Sequence, residues 1–268
     1  MRGKKLGFIG CGNMAGAILD GILESEVLKP SDIVVFDINT KVRERVIKKG
    51  IEVSESIKDL CKLSEKVLLG VKPNIIKNVL KEAGKELKGK AILSIVAGIS
   101  SDTIKDWADT DVRVLRIMPN TPAMVGEGAT VLCSDTTFTE EEKAEAEKIF
   151  KSIGIVEWLP EKMIDTVTGL SGGGPAYVAM FIEALADGAV LDGLSRATAY
   201  RLAAQTVLGS AKMILDGGMH PGALKDMVCS PGGTTIEGVK ALEDGGLRSA
   251  VIQSVIYSSN KSRKLSEK

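Results

Sequence analysis

The residues of this chain best placed to do chemistry lie in glycine-rich turns, not in clusters of acids, histidines or thiols. Gly10-Cys11-Gly12-Asn13-Met14-Ala15 is a GxGxxA sequence between an apolar run and an amphipathic stretch. In that setting Gly10 permits a tight turn, Gly12 leaves room for a pyrophosphate against the backbone, and Ala15 lets the following helix pack onto a sheet. The phosphates are then held at the helix N-terminus. Asp37 ends the next apolar run, 22 residues beyond Ala15, where an acid binds the ribose of an adenosine. The plainer alternative is a glycine turn without ligand, and it leaves the placement of Asp37 unexplained.

Three further segments follow apolar runs and are expected to line a cofactor groove: Val71-Lys72-Pro73, Ala97-Gly98 and Met118-Pro119-Asn120-Thr121-Pro122. Each alone also reads as an ordinary strand-ending turn. Ser171-Gly172-Gly173-Gly174-Pro175 precedes a long apolar stretch; from residue types alone it is a hinge and cap, with Pro175 suited to a first helical turn. Ser230-Pro231-Gly232-Gly233-Thr234-Thr235 precedes another helix pattern, and its glycines and hydroxyls converge donors on one point as an anion nest does. A simple N-cap by Thr234 or Thr235 is the alternative. The single histidine, His220, precedes Pro221 and Gly222 and is read as a cap or packing residue. Cys11 and Cys229 are read as buried small residues and not as nucleophiles.

These turns need a scaffold. Residues 5–158 alternate apolar runs with amphipathic stretches, the pattern of βα units stacking into a parallel sheet. Strands are expected at 6–9, 33–36, 66–69, 91–96, 112–117, 129–132 and 155–159, and helices at 13–24, 40–49, 74–87, 101–107 and 139–151. Thr139 and Glu142 form a capping box that opens the last helix. Beyond Pro160 the chain reads as all helix. The fold class expected is therefore an α/β Rossmann domain at 1–160, with a mostly parallel, doubly wound sheet, followed by an all-α domain at 161–268 for dimerisation and substrate binding. The stretch 175–194 is apolar on most faces but carries Glu183, Asp187 and Asp192, which argues against a membrane span and for burial by another subunit.

Composition narrows the function. With 44% hydrophobic and 26% charged residues in 268, the chain folds and is not disordered. Lys+Arg and Asp+Glu both number 35, which removes the electrostatic basis for non-specific nucleic-acid binding. The four cysteines form no CxxC pair, so neither a zinc site nor a disulfide framework is indicated, and a reducing cytoplasm is expected. The N-terminus lacks the long apolar region of a signal peptide. A small-molecule substrate is expected, without nucleic acid or membrane.

The order and spacing of GxGxMA, VKP, MPNTP, the Ser171–Pro175 segment and KDMVCSPGGTT resemble the Δ1-pyrroline-5-carboxylate reductase family over the whole chain. The segment from His220 to about Asp244 is the most specific part. The resemblance implies an oxidoreductase of proline biosynthesis that delivers hydride from NAD(P)H to a ring C=N. It implies dimers, often associated into decamers, with the active site completed across the dimer interface. Gly10, Cys11, Gly12, Asn13, Met14, Ala15, Asp37, Val71, Lys72, Pro73, Ala97, Gly98 and Asn120 would contact the cofactor. Gly232, Gly233, Thr234 and Thr235 would hold the substrate, Ser171 and Gly174 would form the facing wall, and Thr235 would be the catalytic hydroxyl. One departure stands out: Gly173 occupies a position that is usually serine in the family, so no side-chain hydrogen bond arises there.

The residue types suit imine chemistry. An alcohol dehydrogenase needs a Lys, His or Tyr base near the nicotinamide, whereas no lysine occurs between Lys162 and Lys212. A cyclic imine is basic enough to be partly protonated already, so orientation replaces strong acid catalysis. A six-membered imino acid as substrate, or a nucleotide-sensing protein without turnover, are the alternatives. Asp37 favours NADH by repelling a 2′-phosphate, while Lys41 and Arg43 soften that repulsion; the cofactor expected is NAD(P)H.

Overall fold

A computed structural model describes residues 3–266. The chain divides into two compact units, one running through Gly172 and taking up the chain again from Ser258, the other Gly173–Tyr257.

The first unit is built on an eight-stranded sheet of β1 (Lys4–Ile9), β2 (Ile33–Phe36), β3 (Glu52–Val53), β4 (Ser64–Leu69), β5 (Ala91–Ser94), β6 (Arg113–Met118), β7 (Gly128–Cys133) and β8 (Gly154–Leu159). Their spatial order is β3-β2-β1-β4-β5-β6-β7-β8, with the reversal of direction at β1 and β4 that marks a doubly wound sheet. Six helices accompany the strands: α1 (Asn13–Glu24), α2 (Thr40–Lys48), α3 (Ile57–Leu63), α4 (Ile76–Ala83), α5 (Ser101–Ala108) and α6 (Glu140–Lys151). Strand side chains alternate between two cores. Leu6, Phe8, Leu68, Leu93 and Leu115 meet Ile18, Leu19, Ile22, Ile149 and Phe150 of α1 and α6. Ile9, Val67, Leu69, Ile92 and Val114 meet Leu60, Val79, Leu80 and Ile104 of α3, α4 and α5. Both faces are thus covered, which is why the strands read as near-continuous apolar runs.

The structure departs from the sequence reading at three places here. β3 and α3 were not expected; β3 is only two residues long and pairs with β2 at the sheet edge. The 74–87 helix stops at Ala83, where Gly84 has φ +55 and a 3₁₀ turn takes over. β7 runs antiparallel to β6, because the short 3₁₀ segment Thr121–Val125 leaves no crossover helix to bring the chain back in the same direction. The capping box at the start of α6 is present: Thr139 N donates to Glu142 Oε2, and Glu142 N donates to Thr139 Oγ1.

After β8 the chain is helical. α7 (Ile164–Val167) leads through a π-turn, Thr168–Gly172, to α8 (Gly174–Leu191). The second unit contains α8, α9 (Arg196–Leu215), α10 (Pro221–Val228), α11 (Thr234–Asp244) and the first half of α12 (Leu247–Ser266). α8 and α9 pack together around alanines: Ala186, Ala199 and Ala203 are buried, whereas α10 and α11 bury nothing. Met180, Leu191, Leu202, Met227, Ile252 and Tyr257 are exposed. The helical run Glu161–Leu191 is long and apolar enough to cross a membrane by length and composition, and Glu183 and Asp187 lie within it.

Candidate active site

The first candidate region is the turn between β1 and α1. Gly10 has φ +82, and its N–H donates to Phe36 O at 2.8 Å. A Cβ on Gly10 would lie 2.8 Å from Gly70 O, and one on Gly70 would lie 2.7 Å from Ala15 Cβ, so the three residues interlock without side-chain room to spare. Gly12 differs: it is exposed, and nothing lies within 4 Å of the place a Cβ would occupy. It is the N-cap of α1, a helix with no side-chain cap and no acid in its first turn. The positive end of a 12-residue helix is therefore left without an internal counter-charge, which suits an anion. These features fit a dinucleotide pyrophosphate.

Asp37 is tied to the same turn. Its Oδ2 accepts from Cys11 N at 2.7 Å and its Oδ1 from Asn39 N at 2.8 Å. Asn39 in turn caps α2 by accepting from Lys41 N. On the other side of Cys11, Arg45 of α2 donates from Nη2 to Cys11 O at 2.7 Å. Arg45 was missed by the sequence reading; it lies 34 positions from Cys11, and no local pattern links the two. Cys11 itself is buried, and burial pushes its thiol up to about 11, partly offset by Arg45. It is a core residue, as expected, and not a nucleophile.

Because β1, β4, β5 and β6 are parallel, the segments after them leave one edge of the sheet. That edge brings the Gly10–Ala15 turn together with Val71-Lys72-Pro73, Ala97-Gly98 and Asn120. Lys72, Pro73 and Ala97 are exposed, Val71 is half-buried, and Gly98 has φ +72. Asn120 is buried, and both ends of its amide are engaged: Oδ1 accepts from Ala129 N at 2.8 Å and Nδ2 donates to Ser171 O at 3.1 Å.

The Ser171–Pro175 segment is not the loop that its glycines suggest. Ser171 and Gly172 close the π-turn, Ser171 Oγ donates to Val167 O at 3.2 Å, and Gly174 already opens α8 with Pro175 in its first turn. Flanking helix on both sides overrides the glycines' preference for irregular backbone. π-Turns of this kind recur at functional positions.

In the second unit, His220 caps α10 through Nδ1, which accepts from Gly222 N at 3.1 Å. Cys229 ends that helix and is half-buried, not fully buried as expected, because α10 has no covering layer within its unit. Gly232 has φ +65, and Gly233 N donates to Ser230 O at 3.0 Å. Gly233, not Thr234 or Thr235, is the N-cap of α11, and no side chain caps the helix. The extended backbone at Gly233 places both threonines inside the first turn, exposed. This helix start has no side-chain cap, as at α1, but carries Glu237 in its first turn; its two hydroxyls and the turn before them can receive a carboxylate. Among the described residues no group of three or more His, Cys, Asp or Glu could hold a metal ion.

Comparison with known proteins identifies the family. The family model described as pyrroline-5-carboxylate reductase dimerisation matches residues 161–265. The model described as NADP oxidoreductase coenzyme F420-dependent matches residues 5–98. The chain is 47% identical over 266 residues to pyrroline-5-carboxylate reductase of Escherichia coli (strain K12), covering 98% of this chain and 99% of the relative. It is 42% identical over 270 residues to the enzyme of the same name from Methanosarcina acetivorans, covering both chains completely. A solved pyrroline-5-carboxylate reductase from Coxiella burnetii superposes with a TM-score of 0.93 at 34% identity over 98% of each chain. The Plasmodium falciparum pyrroline carboxylate reductase, solved with NADP bound, gives 0.88 at 32% identity over 99% of each chain. With a Rossmann-type unit, an all-helical region and relatives similar from end to end, this chain belongs to the pyrroline-5-carboxylate reductase family of oxidoreductases.

Proposed function

We infer that this protein reduces the C=N bond of 1-pyrroline-5-carboxylate to L-proline with NAD(P)H, the last step of proline biosynthesis. The observation that carries the reading is the presence of two uncapped helix starts, at Gly12 and Gly233, in a chain similar end to end to reductases of that name. One suits a pyrophosphate and the other a carboxylate, as the two reactants require.

A bound NAD(P)H supplies the hydride that is added to the ring carbon of the C=N bond. The chain's own residues bind and orient. Gly10 to Ala15 hold the pyrophosphate, Asp37 the adenosine ribose, and Val71, Lys72, Pro73, Ala97, Gly98 and Asn120 border the cofactor. Gly232 and Thr234 hold the substrate carboxylate through backbone N–H groups, Gly233, whose own N–H is taken by Ser230 O, shapes the turn between them, Ser171 and Gly174 form the facing wall, and the Thr235 hydroxyl is directed to the ring nitrogen. The iminium proton stays on that nitrogen, so the product amine forms without a side-chain base. The amide of Asn120, engaged at both ends, acts by holding Ser171 and Ala129 in place.

The division of labour follows residues 1–160 for cofactor and 161–268 for substrate and self-association. The exposed apolar residues of α8 and α9 support a dimer in which a second copy covers them, and further association into a decamer is consistent with that surface. The same partner accounts for the apolar run Glu161–Leu191 without a membrane. Four free cysteines agree with a cytoplasmic setting.

The test is oxidation of NADH and NADPH on addition of pyrroline-5-carboxylate, with proline measured as product. Tight cofactor binding without turnover would favour a nucleotide sensor. Higher catalytic efficiency with NADPH than with NADH, unaltered by Asp37→Ser, would remove Asp37 from cofactor choice.

A further inference from the structure

The peptide units flanking Cys11 are each held by a charged side chain. Asp37 Oδ2 receives the Cys11 N–H at 2.7 Å, and Arg45 Nη2 donates to the Cys11 carbonyl at 2.7 Å. Cys11 immediately precedes the N-cap of α1, so its carbonyl has no partner inside the helix. The carbonyl of Cys11 and the N–H of Gly12 belong to one planar trans peptide, and no cis bond occurs among the described residues. Fixing the oxygen therefore fixes the direction of the Gly12 N–H, which is opposite to it. Gly12 is the residue with open space around it, where an anion is expected.

We propose that Arg45 is a positioning residue for the dinucleotide: by holding the Cys11 carbonyl it aims the Gly12 N–H away from itself and into the phosphate cradle. The inference rests on the cofactor reading of the Gly10–Ala15 turn. Arg45 touches no reacting atom. It sits on α2, which is anchored through Asn39 to Asp37, so the same segment grips the turn from both sides. Two more observations agree with a fixed guanidinium. Arg45 Nη2 also reaches Cys11 Sγ at 3.7 Å, so the guanidinium meets two atoms of the same residue. A Cβ on Gly16 would lie 2.6 Å from Arg45 Nη2, so the glycine leaves the guanidinium its berth against α1. The cleft beside them, about 350 Å³, is lined by Asn13, Gly16, Asp20 and Arg45 among others, and Gly16→Ala is expected to displace the guanidinium without changing any charge.

The test uses the full-length protein and titrates NADH and ADP-ribose by fluorescence or calorimetry. Arg45→Met is expected to raise the Kd of both by about ten-fold, the size of one lost charge-assisted hydrogen bond, with the KM for the imine within about two-fold of native. Gly16→Ala is expected to shift both Kd values in the same direction by a smaller factor. Arg45→Lys, which keeps a charged donor, is expected to recover part of the loss. An unchanged Kd in Arg45→Met, with Gly12→Val still abolishing binding, would overturn the role of Arg45 and leave the cofactor reading standing. Unchanged binding in Gly12→Val as well would overturn both. An equal rise in the cofactor Kd and the imine KM would mean that Arg45 only stabilises the unit, which also ends the proposal.

Discussion

The two units handle apolar surface in opposite ways. In the first, strands alternate side chains into two cores, and Phe8, Ile18, Leu68 and Phe150 are fully buried by residues of the same chain. In the second, only alanines are buried in α8 and α9, and leucines and methionines of the same helices face outward. The first unit is complete by its own packing; the second leaves apolar surface open, which the proposed dimer covers. The comparison teaches where damage should travel. A change in the phosphate turn should stay with the cofactor, whereas a change on the helical face should reach the other subunit and, through it, the substrate.

The largest effect expected is from Gly12→Val. The branched side chain fills the open space beside the turn and should weaken NADH binding by about a thousand-fold or more, while circular dichroism and the sedimentation behaviour remain native. Unfolding of the helical unit in that variant would break the contrast. Next, Met180→Glu puts a charge on an exposed apolar position of α8. It should produce monomers at low micromolar concentration by sedimentation and lower kcat/KM by about a hundred-fold, with cofactor affinity native. A fully active monomer would show that the second unit hides its apolar surface alone. Thr235→Val keeps the shape of the α11 start and removes one hydroxyl. It should cut kcat/KM by about ten- to a thousand-fold without changing the cofactor Kd; an unchanged kcat/KM would take Thr235 out of the site.

The smallest effect concerns stability alone. Arg113 donates to both carboxylate oxygens of Glu142 and holds that carboxyl below its ordinary value of 4.5. Because the folded-state pKa is lowered, the contribution is fully present above the ordinary carboxylate range and is lost as pH falls through the folded value. Glu142→Gln should therefore destabilise the protein by about 1–2 kcal/mol at pH 7, and by less in acid, as measured by denaturant unfolding. A difference independent of pH would show that the ion pair contributes nothing beyond the capping box.

Much of this contrast was legible before the structure. Helix 13–24, strand 33–36 and the Thr139–Glu142 box were read correctly, because each carries a local signal: a glycine turn, a β-branched run, a spaced cap. The helical character after Pro160 followed from helix patterns rich in Ala, Leu and Val without a convincing strand. What local signals lack is distance. β3 has two residues and takes its identity from pairing with β2. The glycines of the Ser171–Pro175 segment signal a loop, yet the helices on either side draw them into a π-turn. Arg45 and Asn120 work across 34 and 51 positions, on Cys11 and Ser171, through contacts that exist only once the sheet is assembled.

The interlock of Gly10, Ala15 and Gly70 bears on how such a sequence can drift. A side chain added at Gly10 meets the backbone of Gly70, and one added at Gly70 meets Ala15. Backbone cannot swing aside as a lysine tip can, so an enlargement at either glycine has no cheap compensation at the other. The three positions behave as one unit of inheritance, and their substitution effects should be strongly non-additive. Cys11 faces a different constraint, since its peptide is gripped tightly, its sulfur meets Arg45 only at 3.7 Å, and the thiol otherwise fills a core. Volume-matched replacements should pass there, and variation among descendants of this chain should collect at the x of GxG before it touches either glycine.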